Sequence, residues 1–371
     1  MIAREARRGS NAQAATTYEA TAAVSVADAG VVRLVPAWQR ALGDAVSSVG
    51  ELLDLLALDA AELPPHLQAS AAAARDFPLR VPRGFVARMR PGDPADPLLL
   101  QVLPTAAELV AAPGYSIDPL AESDEAAAFS PLPGLLQKYR GRALLLVTGA
   151  CGIHCRYCFR RHFPYGEHAP RGEGRDRALH WLAANPGVEE VILSGGDPLA
   201  VSDEKLARLV EGLDAVPNLR RLRVHTRMPV VLPERVDAAL LDWLGGTRLS
   251  TVVVLHANHA QEIDGAVVAA IGRLRAAGAT VLNQAVLLAG VNDSVAAQCD
   301  LSRALFDAGA LPYYLHLLDR VAGAAHFEVG ESRARELLRG VMAELPGYLV
   351  PRLVREVPGA PYKVPLDLGA T

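Results

Sequence analysis

Three of the chain's four cysteines fall within eight positions, in the string Cys151-Gly152-Ile153-His154-Cys155-Arg156-Tyr157-Cys158. Spacings of four and three let one short loop offer three thiolates to a single metal centre. A cubane iron–sulfur cluster is ordinarily held by four cysteines, one to each iron. The fourth cysteine here, Cys299, lies in a predicted helix far along the chain and reads as a buried structural thiol. One iron would then lack a protein ligand and be open to a small molecule. The alternative is tetrahedral zinc, with His154 or His162 as fourth ligand. The aromatic Tyr157 and the position straight after an apolar run favour iron. Further residues that could do chemistry follow other apolar runs: Ser194-Gly195-Gly196-Asp197, Arg227, His256, Asn283-Gln284 and Asp319. The bare backbone of a Gly-Gly pair either allows a ligand to approach closely or simply makes a turn.

The elements that must position these residues are legible from Arg142 onward. Apolar runs of strand length cover Ala143–Thr148, Glu190–Ser194, Leu222–Thr226, Ser250–Leu255, Thr280–Ala285 and Tyr313–Leu317. Amphipathic segments lie between them: Ser202–Leu213, Pro233–Leu244, Ala266–Ala277 and Val295–Ala308. A repeat of roughly 30 residues per strand–helix unit indicates parallel strands with right-handed crossovers. Six units suit an α/β fold of the partial (β/α)6 barrel type better than a closed eight-stranded one. In such a barrel the site gathers at the C-terminal ends of the strands, which is where the residues above fall.

Four regions are expected. Residues 1–31, rich in Ala, Ser and Thr and lacking an apolar signal-peptide centre, read as a disordered extension. Residues 32–134 form a mainly helical N-terminal region: a helical pattern from Trp38 to Ala74 that Pro64-Pro65 ends, then a proline-rich stretch of short helices and extended connections from Phe77 to Gly134. Residues 135–320 form the partial barrel, and 321–371 a C-terminal segment. The 371-residue chain is 51% hydrophobic, enough for a sizeable core, and its net charge of −4 argues against a bulk electrostatic grip on nucleic acid or membrane. No apolar run approaches the roughly 20 residues of a membrane helix. Clustered cysteines without a disulfide framework point to a reducing cytoplasm.

The loop C-x-x-x-C-x-x-C with an aromatic before its last cysteine resembles that of the radical S-adenosylmethionine superfamily. Ser194-Gly195-Gly196-Asp197-Pro198-Leu199 is similar to that superfamily's glycine-rich segment. From about Phe77 to Leu368 the chain resembles the lysine 2,3-aminomutase family more narrowly. The strings that carry this likeness are Cys158-Phe159-Arg160-Arg161-His162-Phe163-Pro164-Tyr165, Thr226-Arg227-Met228-Pro229-Val230-Val231-Leu232-Pro233, Gly290-Val291-Asn292-Asp293, Pro312-Tyr313-Tyr314 and Pro358-Gly359-Ala360-Pro361-Tyr362-Lys363-Val364-Pro365.

The resemblance implies a [4Fe–4S] cluster on Cys151, Cys155 and Cys158, with S-adenosyl-L-methionine on the open iron and an external electron donor. Ser194, Gly195, Gly196, Asp197, His256 and Gln284 would lie at adenosylmethionine. Lys363 would carry pyridoxal 5′-phosphate as a Schiff base, with Lys138, Tyr139 and Arg142 on the pyridoxal side. Arg160 would pair with the carboxylate of a lysine substrate, and Asp319 and Glu356 with its ε-ammonium. At the Glu356 position the long aminomutases have aspartate. The chain stops eight residues after Lys363, where catabolic aminomutases continue; in this, in the run from Cys155 to Tyr165, in Phe77-Pro78-Leu79-Arg80-Val81-Pro82 and in the terminal Lys363-Val364-Pro365-Leu366-Asp367-Leu368 it resembles the aminomutase of the elongation factor P pathway. The implied reaction converts L-α-lysine to (R)-β-lysine, which a separate β-lysine ligase attaches to elongation factor P. A free-standing lysine 2,3-aminomutase is the alternative, and self-association into a homo-oligomer is left open.

Overall fold

The alternation of strands and helices from residue 142 builds one sheet. The structure is a computed structural model and describes residues 24–25, 33–123, 129–168 and 173–368. The sheet has nine strands: β1 Leu135–Tyr139, β2 Arg142–Thr148, β3 Glu190–Gly195, β4 Arg221–Thr226, β5 Ser250–Leu255, β6 Thr280–Val286, β7 Leu311–His316, β8 Arg352–Arg355 and β9 Val364–Pro365. They lie side by side in chain order. Strands β2 to β8 are parallel, while β1 and β9 run antiparallel at the two edges. The sheet does not close on itself, and its six central strands are the expected partial barrel.

The crossover helices pack on the sheet for reasons visible in their spacing. Helix α1, Asp203–Asp214, buries Leu206, Leu209, Val210 and Leu213, the i, i+3, i+4, i+7 stripe of an amphipathic helix. Helix α2, Gly265–Ala276, buries Val267, Ala270, Ile271 and Leu274, and Asp264 caps it by accepting from the Val267 N–H at 2.9 Å. Helix α3, Val295–Ala308, starts at the Ser294 cap and ends at Gly309, whose φ of 91° is the left-handed conformation that glycine adopts without strain. Cys299 is buried inside this helix. Most of the apolar core lies between these helices and the sheet, with a small satellite of Leu288, Val291, Val321, Ala324 and Phe327 beyond the strand ends.

Three expectations are revised. The pattern over Trp38–Ala74 is not one helical run. It breaks into Ala37–Gly43, Val49–Leu55 and Ala71–Asp76, because Val46 and Val81 exchange backbone hydrogen bonds at 2.8 and 2.9 Å and hold the chain extended between the first two. The segment Pro233–Leu244 splits into a 3-10 turn at Pro233–Arg235 and a helix at Ala238–Gly246 capped by Asp237. The sequence pattern gives no sign of the edge strands β1 and β9 or of β8 beside β9; they are short and set among prolines and glycines. The proline-rich stretch does form short helices, at Arg83–Val86 and Pro97–Leu100. The segment 1–31 lies, apart from Val24–Ser25 paired with Arg33–Leu34, outside the described residues.

Candidate active site

One cavity of 430 Å³ at the C-terminal ends of the strands is lined by Cys151, Cys155, Cys158, Arg160, Ser194, Gly195, Gly196, Asp197, Arg227, His256, Gln284, Asp319, Glu356 and Lys363, together with Lys138, Tyr139 and Arg142, but not by Asn283 or His162. Cys299 is not among them.

The cysteine loop follows β2 and is clamped by the end of β3. The Gly196 N–H donates to the Thr148 carbonyl and the Asp197 N–H to that of Ala150, both at 2.7 Å. This contact demands the Gly-Gly pair. A Cβ at Gly195, whose φ is +131°, would lie 2.3 Å from the Thr148 oxygen, and one at Gly196 would lie 2.4 Å from that of Ala150. The Asp197 carboxylate accepts from Thr226 Oγ1 at 2.7 Å and from the N–H groups of Leu199, Arg227 and Met228 at 3.0, 2.7 and 3.1 Å. Those donors fill its acceptor capacity. Asp197 lines the cavity, and its carboxylate ties the end of β3 to the end of β4.

The N-terminal region straps the loop from outside. The N–H groups of His154 and Arg156 donate to the carbonyls of Arg80 and Gln101 at 3.0 and 2.9 Å. Arg156, fully buried, donates to Glu108 through Nε at 2.9 Å and Nη2 at 2.5 Å, and Arg161 shares the same carboxylate at 2.7 Å. Arg227 Nη1 lies 2.7 Å from Cys155 Sγ, and its Nη2 donates to Gln101 at 2.6 Å and Glu262 at 2.9 Å. Cationic donors beside the thiols suit an anionic cluster.

The donor chemistry fits iron. Burial, reinforced by the neighbouring thiols, pushes Cys151 well up and Cys158 up to about 11, so loading a cluster must release protons. The zinc alternative fits poorly. His154 bonds the Pro78 carbonyl at 2.8 Å and stacks on Phe77, while His162 engages the Ala322 carbonyl at 3.1 Å.

Between the cysteine loop and the far wall stand His225, His256, His316 and Gln284, with Gln284 Nε2 2.7 Å from His256 Nε2. Burial lowers all three histidines, His256 to about 3, which keeps them neutral.

Arg160 is not a free fork. Nε and Nη2 donate to Glu122 at 2.6 and 3.2 Å, and Nη1 donates to Ser194 Oγ and the Gly195 carbonyl at 3.1 and 3.2 Å. One of the guanidinium's five N–H groups is left. Lys138 adds a second cation 2.7 Å from Glu122. Burial pushes the Glu122 acid up, but Arg160 and Lys138 outweigh it and hold the group at about 2.

At the far wall β9 turns back on β8 and brings Lys363 to Glu356: Nζ donates to Oε2 at 2.5 Å, and the Tyr139 hydroxyl donates to Oε1. Burial acts to raise Glu356, and Lys363 with these hydrogen bonds overcomes it and lowers the group. Asp319 differs. Its carboxylate has no hydrogen bond among the described residues, and burial, with the Glu356 charge, pushes it up to about 7. Tyr139, Tyr313 and Tyr314 line this wall, and Arg142 adds a cation 4.6 Å from the centre of the Tyr139 ring. Such a group of rings and cations beside a lysine fits a planar aromatic phosphate.

Sequence reasoning missed Glu108, Gln101 and Glu122. Glu108 carried a signal: Thr105-x-x-Glu108 is a capping box, and the Thr105 N–H does donate to Glu108 at 3.0 Å. The pairings of Gln101 and Glu122 are set by tertiary contacts alone.

The Radical SAM superfamily profile matches residues 145–297, the cysteine loop and most of the parallel strands. Fold and loop together therefore define a radical S-adenosylmethionine enzyme, whose cofactors include an iron–sulfur cluster and adenosylmethionine. Full-length relatives narrow the class. An L-lysine 2,3-aminomutase from Escherichia coli is 49% identical over 331 residues, 89% of this chain and 94% of that one. One from Haemophilus influenzae is 44% identical over 90% of this chain and 96% of its own. One from Clostridium subterminale is 37% identical over 76% and 67%. The chain belongs to the lysine 2,3-aminomutase family, and it is an isomerase.

Proposed function

We propose that this enzyme converts L-α-lysine to (R)-β-lysine, with a [4Fe–4S] cluster on Cys151, Cys155 and Cys158 and pyridoxal 5′-phosphate on Lys363. The observation that carries the reading is one cavity lined both by the three-thiol loop and by Lys363 with the acids Glu356 and Asp319. When bound, the cluster and adenosylmethionine supply a carbon radical, and pyridoxal phosphate holds the nitrogen that migrates.

The protein's share is positioning and exclusion. Arg227 beside Cys155 steadies negative charge on the loop. Ser194, Gly195, Gly196, His256 and Gln284 line the space between cysteines and lysine, where adenosylmethionine would lie, and the three neutral histidines add no charge that would repel a sulfonium. Asp197 acts on this region by holding β3 to β4. Asp319 and Glu356 would take the ε-ammonium. Arg160, with one N–H left, and Lys138 beside it would orient the carboxylate. A glutamate substrate would meet two acids where its own acid must go, so the pocket favours a diamino acid.

We further propose that the enzyme works in the cytoplasm with an external electron donor, and that its product serves elongation factor P through a separate β-lysine ligase. The motifs Phe77-Pro78-Leu79-Arg80-Val81-Pro82 and Lys363-Val364-Pro365-Leu366-Asp367-Leu368, which resemble those of that pathway's aminomutase, support this. No described helix is long and apolar enough to cross a membrane. The test of the site is borohydride reduction of the pyridoxal phosphate-loaded protein followed by peptide mapping. The expected label lies on Lys363; a label on another lysine would refute the assignment.

A further inference from the structure

The arginines around the cysteine loop differ in what they hold. Arg156 and Arg161 donate to the Glu108 carboxylate and to backbone carbonyls, and Arg160 donates to Glu122, Ser194 and Gly195. Among the described residues Arg227 is the guanidinium that donates to a thiol, with Nη1 2.7 Å from Cys155 Sγ. Its place is fixed. The Arg227 N–H donates to Asp197 at 2.7 Å, and Nη2 donates to Gln101 Oε1 at 2.6 Å and to Glu262 Oε2 at 2.9 Å. The rings of Phe85 and Tyr157 have their centroids 5.5 and 5.7 Å from Cζ. The Arg227 side chain is 6% exposed and that of Glu262 not at all. Glu262 is held in turn, accepting from Gln101 Nε2 at 3.1 Å and from the N–H groups of Asn258 and His259 at 2.9 and 3.1 Å.

We propose that Arg227 sets the potential at which the cluster accepts its electron, acting through the Cys155 sulfur, and that Glu262 and Gln101 are the positioning residues that aim it. The inference rests on the reading of Cys151, Cys155 and Cys158 as the cluster's ligands. The step balances simply. One electron passes from the external low-potential donor to the iron–sulfur centre, and no bond forms or breaks. The added negative charge is shared by the thiolate sulfurs, and hydrogen bonds to those sulfurs help to set a cluster's potential. A guanidinium N–H aimed at one sulfur favours the reduced, more negative form, and it does so more strongly in a buried setting than in water. Glu262 acts in the opposite sense. Its carboxylate offsets the Arg227 charge, so the sulfur meets an N–H backed by an ion pair and not a free cation. Both groups are in place before any electron arrives, so none of the gain is lost to reorganisation. Gln101, just after the short helix Pro97–Leu100, bonds both members of the pair. The N-terminal region that straps the loop from outside thereby also aims the donor. The potential of the wild type lies between two extremes: harder to reduce without the guanidinium, easier to reduce without the Glu262 charge.

The experiment is an anaerobic, mediated redox titration with titanium(III) citrate on the full chain carrying its cluster, before adenosylmethionine is added. The reading is the electron paramagnetic resonance signal of the reduced cluster. Wild type is compared with Arg227→Gln and Glu262→Gln; iron content and circular dichroism check each. The expected result is that Arg227→Gln lowers the equilibrium constant for one-electron reduction at least tenfold, about 59 mV in the midpoint. Glu262→Gln should raise the same constant at least threefold. A merely structural role would not move the two variants in opposite directions. An unchanged midpoint in Arg227→Gln overturns the inference, as does an unchanged or lower one in Glu262→Gln. Should Arg227→Gln hold no iron, Glu262→Gln decides alone by the same criterion; if both lose the iron, the pair is structural and the inference falls. Cys155→Ala separates the two failures. If that variant keeps the cluster, the ligand reading falls and the inference with it. If it loses the cluster while wild type and both glutamine variants share one midpoint, the inference alone is overturned.

Discussion

Asp319 makes lysine binding a proton-linked event with a calculable size. Burial and the Glu356 charge push its acid up to about 7 in the free protein, while an ammonium needs it ionised. At pH 6 the protonated form outnumbers the ionised one about tenfold, and at pH 8 the ratio is inverted. Lysine should therefore bind about tenfold more weakly at pH 6 than at pH 8, a difference of about 1.4 kcal/mol. It should release about 0.9 proton per molecule bound at pH 6 and about 0.1 at pH 8. The assay is calorimetry on enzyme stripped of pyridoxal phosphate, since the Lys363 charge is part of the balance at Asp319, in two buffers of different ionisation enthalpy. Asp319→Asn should abolish the proton release and weaken binding at pH 8 by about 2–5 kcal/mol, the usual loss for a desolvated charge pair. Stability runs the other way. An acid raised on folding stabilises the fold below its unfolded value near 4, and that contribution is lost as pH rises through 7. Without substrate, Asp319→Asn should therefore melt higher than wild type at pH 8. Lysine affinity that is flat from pH 6 to 8, with no proton released, would refute this reasoning.

Three further outcomes are expected. Cys151→Ala, Cys155→Ala and Cys158→Ala should each lose the iron and all reductive cleavage of adenosylmethionine, whereas Cys299→Ala, altering a buried helix residue outside the cavity, should keep both by iron analysis and 5′-deoxyadenosine assay. Glu108→Gln leaves two buried guanidiniums, Arg156 and Arg161, without their shared carboxylate; it should cost about 3–5 kcal/mol in unfolding free energy and lower the iron content, and an unchanged denaturation midpoint would count against the clamp. Lys363→Ala should retain the cluster and still cleave adenosylmethionine when reduced, yet form no β-lysine, since the cysteine loop and β9 are separate pieces of chain; turnover that persists would remove Lys363 from the mechanism.

The parallel strands were legible because each is an apolar run of strand length bounded by turn residues, and a repeated strand–helix unit leaves little choice of topology. Ser250–Leu255 and Val295–Ala308 have the expected bounds to the residue. That the candidate site residues would share one cavity was legible because a parallel sheet collects strand ends on one side. The rest turns on contacts between distant residues. No local pattern says that Val46 pairs with Val81, or that Arg160 meets Glu122 across 38 residues. The Gly-Gly-Asp string was visible as a motif, but its immediate cause, close packing of β3 on the cysteine loop, needs the backbone positions. Strands β8 and β9, which carry Lys363 into the cavity, are of four and two residues and read from sequence only as a proline-flanked tail.

The central claim is that this cavity moves an amino group from C2 to C3 of lysine. Its most direct test is anaerobic incubation of the reconstituted enzyme with lysine labelled with ¹⁵N at the α-amino group, adenosylmethionine, pyridoxal phosphate and a reductant, followed by NMR of the product. The account predicts (R)-β-lysine with the ¹⁵N bonded to C3 and the ε-nitrogen unlabelled. Formation of 5′-deoxyadenosine while all the ¹⁵N stays on C2 would contradict it.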